Sequence, residues 1–160
     1  LLEYSRASKS SEGKELVDLN EILHEYKKLR RTVISEKSVS ISYQPLPSLT
    51  TYSAGITQVL HALLDNAIKY SKEDVPPQIE IHAIEKEKEW EFSIRDNGIG
   101  IEAENIDRIF EPKFTTKNSG MGLGLGIIKN IIENYKGSIT FETEQGKGAT
   151  FTVSLPIINS

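Results

Sequence analysis

Three short runs of this 160-residue chain hold the groups that could carry chemistry: an amide able to ligate a hard cation, a fixed carboxylate, and a loop that admits phosphate. In GMGLGLG, Gly120, Gly122, Gly124 and Gly126 fall at alternate positions. Each glycine in a regular element costs about 0.5–1 kcal/mol relative to alanine, so four together answer to unusual backbone angles or close approach. The run leads into Ile127, Ile128, Ile131, Ile132 and Tyr135, an apolar pattern at helical spacing. A loop entering a helix N-terminus offers unpaired amides and a positive dipole end to an anion. A hinge or a tight helix–sheet contact accounts for the glycines equally well. In HALLDNAIKYS, helical spacing puts Ala62, Asn66, Lys69 and Tyr70 at one edge of an apolar stripe. The amide oxygen of Asn66 is a suitable Mg²⁺ ligand beside phosphate oxygens. Lys69 and Tyr70 read alone are a solvated helix face and a half-buried aromatic. In DNGIGI, Asp96 follows an alternating strand and precedes Asn97-Gly98, which holds a carboxylate where a strand turns; turn chemistry alone would also place it there.

The elements that position these runs follow from periodicity. Leu19, Ile22, Leu23, Tyr26, Leu29, Val33 and Ile34 predict one amphipathic helix with Asn20 as its N-cap. Val39, Ile41 and Tyr43 predict a short strand closed by QPLPSL. A second helix starts near Ser53, with Ile56, Val59, Leu60, Leu63, Leu64, Ala67 and Ile68 as its buried stripe. Two strands follow, one on Ile79, Ile81 and Ala83, the other on Trp90, Phe92 and Ile94. Residues 102–119 form a long connection with a short helix around ENIDRIF, a length that usually marks a functional loop. Gly137 ends the third long helix, and GSITFET and ATFTVSL form a hairpin across EQGKG. This order predicts one mixed sheet with helices on one face.

Composition limits the function classes. A formal charge of −4 argues against a broad nucleic-acid surface, and no apolar run approaches the ~18–20 residues of a membrane span. With no cysteine there is no disulfide or thiolate metal site, which suits a cytoplasmic setting. The chain starts at Leu1 and its one methionine is Met121, so it reads as part of a longer protein. Residues 1–14, with two leucines and a tyrosine before a Ser/Lys/Gly run, read as the end of an upstream helix and a linker; residues 15–160 read as one domain.

Taken in order, HALLDNAIKYS, DNGIGI, IFEPKFTTK and GMGLGLG resemble the N, G1, F and G2 boxes of the catalytic ATP-binding (HATPase) domain of two-component sensor histidine kinases. GKGATF resembles the last glycine box of that family, which lies in the GHKL superfamily with gyrase, Hsp90 and MutL. The resemblance covers about residues 15–157. It implies an α/β (α+β) two-layer sandwich of the Bergerat type, with a mixed, mostly antiparallel sheet of about five strands and three helices on one face. It implies ATP or ADP with Mg²⁺ as cofactors. Asn66 is then the metal ligand, Lys69 a phosphate contact and Tyr70 a wall of the pocket. Asp96 accepts a hydrogen bond from the adenine amino group, where guanine would place an acceptor against an acceptor, and Gly98 and Gly100 let base and ribose lie close. Gly120, Gly122, Gly124 and Gly126 form the hinge over the triphosphate, beneath a lid of residues 102–119. Ile101, Phe110, Thr116, Lys117, Leu123 and Leu125 also fall among the implied nucleotide contacts. Thr150 completes the adenine pocket, although as a β-branched strand former it needs no such role. Phe110 and Phe114 anchor the lid, or serve as packing or a docking surface.

The implied activity is that of a histidine protein kinase, donating the γ-phosphoryl of Mg-ATP to a histidine on the protein's own helical dimerisation domain, with a response regulator downstream. The isolated chain is expected to be monomeric and unable to phosphorylate itself, within a cytoplasmic part of a homodimeric, sometimes membrane-anchored parent. Two alternatives stand beside it: a nucleotide-gated clamp of the MutL or Hsp90 type, and a nucleotide-binding regulator with little turnover. The chain departs from the family pattern at Ala62, where asparagine or glutamate is usual, so no catalytic residue is assigned and phosphotransfer is in question. His61 is about 100° round the helix from that position, an imperfect substitute. Lys113 stands where an aromatic is common. His24 lacks the proline of the phosphoacceptor box, and His82 reads as solvent-facing.

Overall fold

The computed structural model describes residues 13–111 and 124–157. β1 (Lys14–Asp18) runs directly into α1 (Leu19–Leu29). The cap of α1 is Asp18, whose carboxylate accepts from Asn20 N at 2.9 Å, and not Asn20 itself. Asn20 instead ties α1 to the proline segment: its Nδ2 donates to the Leu46 carbonyl at 2.7 Å and its Oδ1 accepts from Leu46 N at 2.9 Å. The single helix expected through Ile34 is broken at Arg30 (φ −103°, ψ 18°), and α2 (Arg31–Lys37) follows as a separate element. Ser38 ends α2 in the left-handed region at φ 55°, and β2 (Ser40–Tyr43) begins.

β3 (Ser48–Tyr52) pairs antiparallel with β1, Lys14 opposite Tyr52 and Asp18 opposite Ser48. Neither strand was expected from the sequence. β3 buries Leu49 and Thr51, and β1 buries only Val17, so polar residues carry most of the ribbon and hide its period. α3 (Ser53–Lys69) then buries the predicted stripe, with Ile56, Val59, Leu64 and Ile68 fully inaccessible. β4 (Gln78–Glu85) and β5 (Glu89–Asp96) form a hairpin, followed by a 3₁₀ turn, Ala103–Arg108, where a short helix was expected. α4 (Leu125–Asn134), β6 (Ser138–Glu144) and β7 (Gly148–Pro156) complete the chain.

The main sheet has five strands in the order β2-β4-β5-β7-β6. β2 and β4 are parallel and the other pairs antiparallel. Register aligns the apolar residues of one face: Ile81 opposite Ile94, Ile94 opposite Phe151, Phe92 and Ile139 each opposite Val153. These side chains form one core with the stripes of α1, α3 and α4. Each such burial contributes roughly 1.5–3 kcal/mol. Glu80, His82 and Arg95 point to the exposed face; His82 Nε2 lies 3.6 Å from Glu80 there, as its strand position predicts. The architecture is therefore the expected two layers, with the helical layer richer by one element because the first helix is two.

Candidate functional site

The end of α3, the end of β5 and the start of β7 are drawn together by backbone bonds. Ile99 N donates to the Tyr70 carbonyl at 2.9 Å, joining the helix end to the turn after β5. Gly146 N donates to the Ile99 carbonyl at 2.8 Å, and Ile101 N to Thr143 Oγ1 at 2.8 Å, so the β6–β7 hairpin closes on the same turn. The glycines here answer to close approach within the protein. A Cβ on Gly98 would stand 2.5 Å from the Tyr70 carbonyl oxygen, and Gly148, at φ 120°, lies against the Asp96 carbonyl. Gly100 (φ 75°) packs on the Glu144 carbonyl in the same way.

Asp96 sits at this junction, half-buried. Its Oδ1 accepts two backbone bonds, from Gly98 N at 2.9 Å and from Ala149 N at 3.2 Å. Burial pushes its carboxyl above the usual carboxylate range, and the two N–H donors oppose that shift. Both bonds use one oxygen, which leaves Oδ2 as an acceptor in a fixed direction. Neighbouring Asn97 is structural: its Oδ1 accepts from Gln78 N at 2.8 Å and its Nδ2 donates to the Pro76 carbonyl at 3.2 Å. Thr150, opposite Arg95 on the adjacent strand, is half-buried on β7.

On α3, Asn66, Lys69 and Tyr70 are half-buried at the helix edge, and Lys69 Nζ lies 5.1 Å from the centre of the Tyr70 ring. Asn66 Nδ2 is buried with no hydrogen-bond partner. Oxygen and nitrogen of such an amide exchange by a half-turn of its terminal bond, so the unpaired site accommodates either a donor or the carbonyl oxygen a hard cation takes. Among the described residues no cluster of three or more His, Cys, Asp or Glu could hold a metal. A cation here would rest on Asn66 and on oxygens of its ligand, which fits Mg²⁺ with few protein ligands.

Ala62, one turn before Asn66, is only 1% exposed and belongs to the core. His61 does not stand in for it. Its ring meets Tyr26 of α1 edge-on, centroids 5.1 Å apart, and burial lowers its pKa from the ordinary histidine value. Beneath it lies a cluster that sequence reading missed. Asp65, 2% exposed, accepts from Tyr26 Oη at 2.7 Å and takes both Nε and Nη2 of Arg30 at 2.9 Å. The Tyr26 hydroxyl is held protonated by burial and by Asp65, while the bond to Asp65 raises the Arg30 pKa further. Nothing in the local pattern links Arg30 to Asp65; only the break at Arg30, inside an otherwise continuous apolar period, hints at a second task.

Gly124 caps α4 in extended backbone and supplies no side-chain cap bond to the first amides of the helix. Phe110 packs edge-on against Phe141 at 5.8 Å, under Lys129 Nζ at 5.2 Å. The expected contacts at Thr116, Lys117, Gly120, Gly122 and Leu123, with Lys113 and Phe114, lie outside the described residues.

Residues 51–159 match the family described as histidine kinase-, DNA gyrase B-, and HSP90-like ATPase. Cyanobacterial phytochrome A of Nostoc sp. is 37% identical over 98% of this chain and 21% of its own length. Sensor histidine kinase ZraS of Escherichia coli is 35% identical over 88% of this chain and 30% of its own. The chain thus spans about a fifth to a third of these relatives. The catalytic domain of histidine kinase ThkA superposes with a TM-score of 0.76 at 28% identity, over 89% of this chain and 95% of that one. The Acinetobacter baumannii histidine kinase AdeS gives 0.75 at 28% identity, over 99% and 78%. The chain belongs to this ATPase family and is an ATP-binding catalytic domain of the sensor-histidine-kinase kind.

Proposed function

We propose that this domain binds Mg-ATP and presents the γ-phosphoryl group to a histidine on a separate helical acceptor domain of the same protein, from which a response regulator is then phosphorylated. The observation that carries the reading is Asp96, pinned through Oδ1 by two backbone donors with Oδ2 left to accept. An amino group on a purine ring satisfies that acceptor; a guanine carbonyl at the corresponding position repels it. Asn66 and the partner-poor space at its amide would hold Mg²⁺, which when bound neutralises phosphate charge. The uncapped start of α4 receives phosphate oxygens, with Lys69 supplying a cation from α3. Gly98, Gly100, Ile101, Tyr70 and Thr150 frame the base. Gly120, Gly122 and Leu123 with Thr116 and Lys117 complete the closing side by family resemblance. Catalysis is then positioning and charge stabilisation, with no covalent intermediate on this domain.

The test is calorimetry of ATP and GTP with and without Mg²⁺ on the parent chain, Asp96→Asn and Asn66→Ala. The expected result is ATP preference, lost with Asp96→Asn, and a Mg²⁺-dependent part of the affinity lost with Asn66→Ala. Equal affinity for ATP and GTP in the parent chain removes the adenine assignment.

Ala62 favours a second reading, a nucleotide-binding module with little turnover. Its buried methyl offers no acid, base or hydrogen bond one turn before Asn66. Nucleotide affinity without transfer to the acceptor domain supplied alongside would establish it. A clamp that depends on hydrolysis gains nothing from this residue.

A further inference from the structure

A buried charge stands one residue from the proposed metal ligand. Asp65 precedes Asn66 on α3, about 100° round the helix, and is buried. It accepts three bonds from α1 and the residue that ends it: Tyr26 Oη at 2.7 Å, and Arg30 Nε and Nη2 at 2.9 Å each. Arg30 caps α1, its own N–H donating to the Tyr26 carbonyl at 2.9 Å, so both donors are fixed to one helix end. α2 begins at the next residue, and its Lys37 Nζ lies 3.5 Å from the Ile68 carbonyl near the end of α3. Stability alone is a poor reason for such a pair. Well-packed apolar residues of similar volume serve a fold as well or better, because they carry no charge to desolvate.

Along its length α3 meets the core through Ile56, Val59, Leu60, Leu63, Leu64 and Ile68, whose burial is non-directional and resists a small rotation weakly. A helix with its side chains is about 10–12 Å across, so a rotation of about 10° carries a surface amide about 1 Å. Asn66 Nδ2 has no hydrogen-bond partner, so that nitrogen does nothing to hold its own side chain in place. We infer that Tyr26, Arg30 and Asp65 are positioning residues that fix the rotation of α3 and thereby the aim of Asn66. The fork of Arg30 suits this task, since two parallel bonds fix a carboxylate's orientation as well as its place. Asp65 acts through the helix and touches neither cation nor nucleotide. The inference rests on Asn66 as the Mg²⁺ ligand proposed above, and adds to that reading what holds the ligand.

The test replaces the ion pair as a whole, because removing Arg30 alone would strand a buried carboxylate. Arg30→Met with Asp65→Leu removes both charges at similar volume, and Tyr26→Phe keeps the ring and the ion pair while removing one bond. ATP affinity is measured by calorimetry with and without Mg²⁺ on these variants, the parent chain and Asn66→Ala, alongside thermal melts. The paired variant should melt at or above the parent, keep its Mg²⁺-free affinity, and lose about 10-fold of the gain in affinity that Mg²⁺ brings. Tyr26→Phe should lower that gain by a smaller factor, and it carries the test where the paired variant does not fold. A role confined to stability would lower the melting temperature and leave the Mg²⁺-dependent gain intact in the folded chain; that result overturns the inference. Equal losses with and without Mg²⁺ also overturn it, since they mark general damage to the site. The Asn66→Ala arm separates the two readings. Loss of the gain there, with the gain kept in the paired variant and in Tyr26→Phe, refutes the positioning alone; a gain that survives Asn66→Ala refutes the ligand assignment and the inference with it.

Discussion

Burial and hydrogen bonding act in opposite directions on Asp96, and only one of its oxygens holds the fold, so the structural role can be tested apart from the adenine contact proposed for the other. An asparagine there keeps an oxygen for Gly98 and Ala149 and loses only the second acceptor, so Asp96→Asn is expected to retain its melting temperature while losing adenine affinity. His61 has a different kind of conflict: its ring packs on Tyr26, yet Nε2 is buried without a partner. Burial lowers its folded pKa, so the unfolded chain takes up the proton first. The stability this histidine contributes is whole above about pH 6.5 and is lost as pH falls through the lowered value. His61→Phe keeps the aromatic contact and removes both the titration and the orphan nitrogen. Thermal melts should show it more stable by about 1 kcal/mol and less sensitive to mild acid, and an unchanged acid slope would assign that slope to other groups. The same geometry settles which side chain could replace the missing polar group. His61 faces α1, so any gain must come at Ala62, and a buried carboxylate would cost too much there. Ala62→Asn can hydrogen-bond to the unpaired Asn66 amide. With the acceptor domain present it should raise histidine phosphorylation by roughly 10²–10⁴-fold at nearly constant nucleotide affinity. An unchanged transfer rate would show that the alanine is not what limits the enzyme.

The elements carrying strong apolar periods were legible, and those stabilised by polar pairs were not. The stripe from Ile56 to Ile68 and the alternation in β4, β5, β6 and β7 predict their elements because one face of each is in the core. β1 and β3 bury too few apolar residues to show a period, and Arg30, where the helix breaks, pairs with Asp65, which is distant in sequence. The end of α4 is instructive for a different reason. Gly137 was expected to end the helix, and the residue that takes the left-handed backbone there is Lys136, at φ 65°. Lys136 N donates to the Glu133 carbonyl and Gly137 N to the Ile132 carbonyl, each at 3.0 Å, the two bonds of a Schellman end. Gly137 is required because a Cβ would collide with the Ser154 carbonyl of β7. A lysine in the left-handed region carries strain that glycine does not, so Lys136→Gly should raise the unfolding free energy by up to about 1 kcal/mol in denaturant titrations. A loss of stability would mean that the Lys136 side chain contributes more to the end of the sheet than its backbone costs.

Across the whole molecule, Tyr70, Asp96 and Gly98 are joined by backbone contacts at the ends of α3 and β5, while Asn66 lies one turn earlier on α3 and Thr150 near the start of β7. What could not be read was how the domain divides between the end carrying Asp96 and the end carrying a groove beside Trp90, since that depends on β1 and β3. The same division bears on whether the chain can phosphorylate itself. In-line transfer needs an acceptor nitrogen within about 3–3.5 Å of the phosphorus. His24 is exposed on α1, on the side turned from Tyr26 and its bond to Asp65; His61 is packed against that tyrosine; His82 pairs with Glu80 on the outer face of the sheet. None of the three histidines of this chain is carried by the strand and helix ends around Asp96. Incubated with labelled Mg-ATP, the chain should therefore bind nucleotide and remain unlabelled, while the helical acceptor domain added alongside acquires an acid-labile phosphohistidine. Acid-labile label on His24 of the chain alone would make it the acceptor after all, and acid-stable label on serine or threonine would reassign the domain to protein-serine phosphorylation.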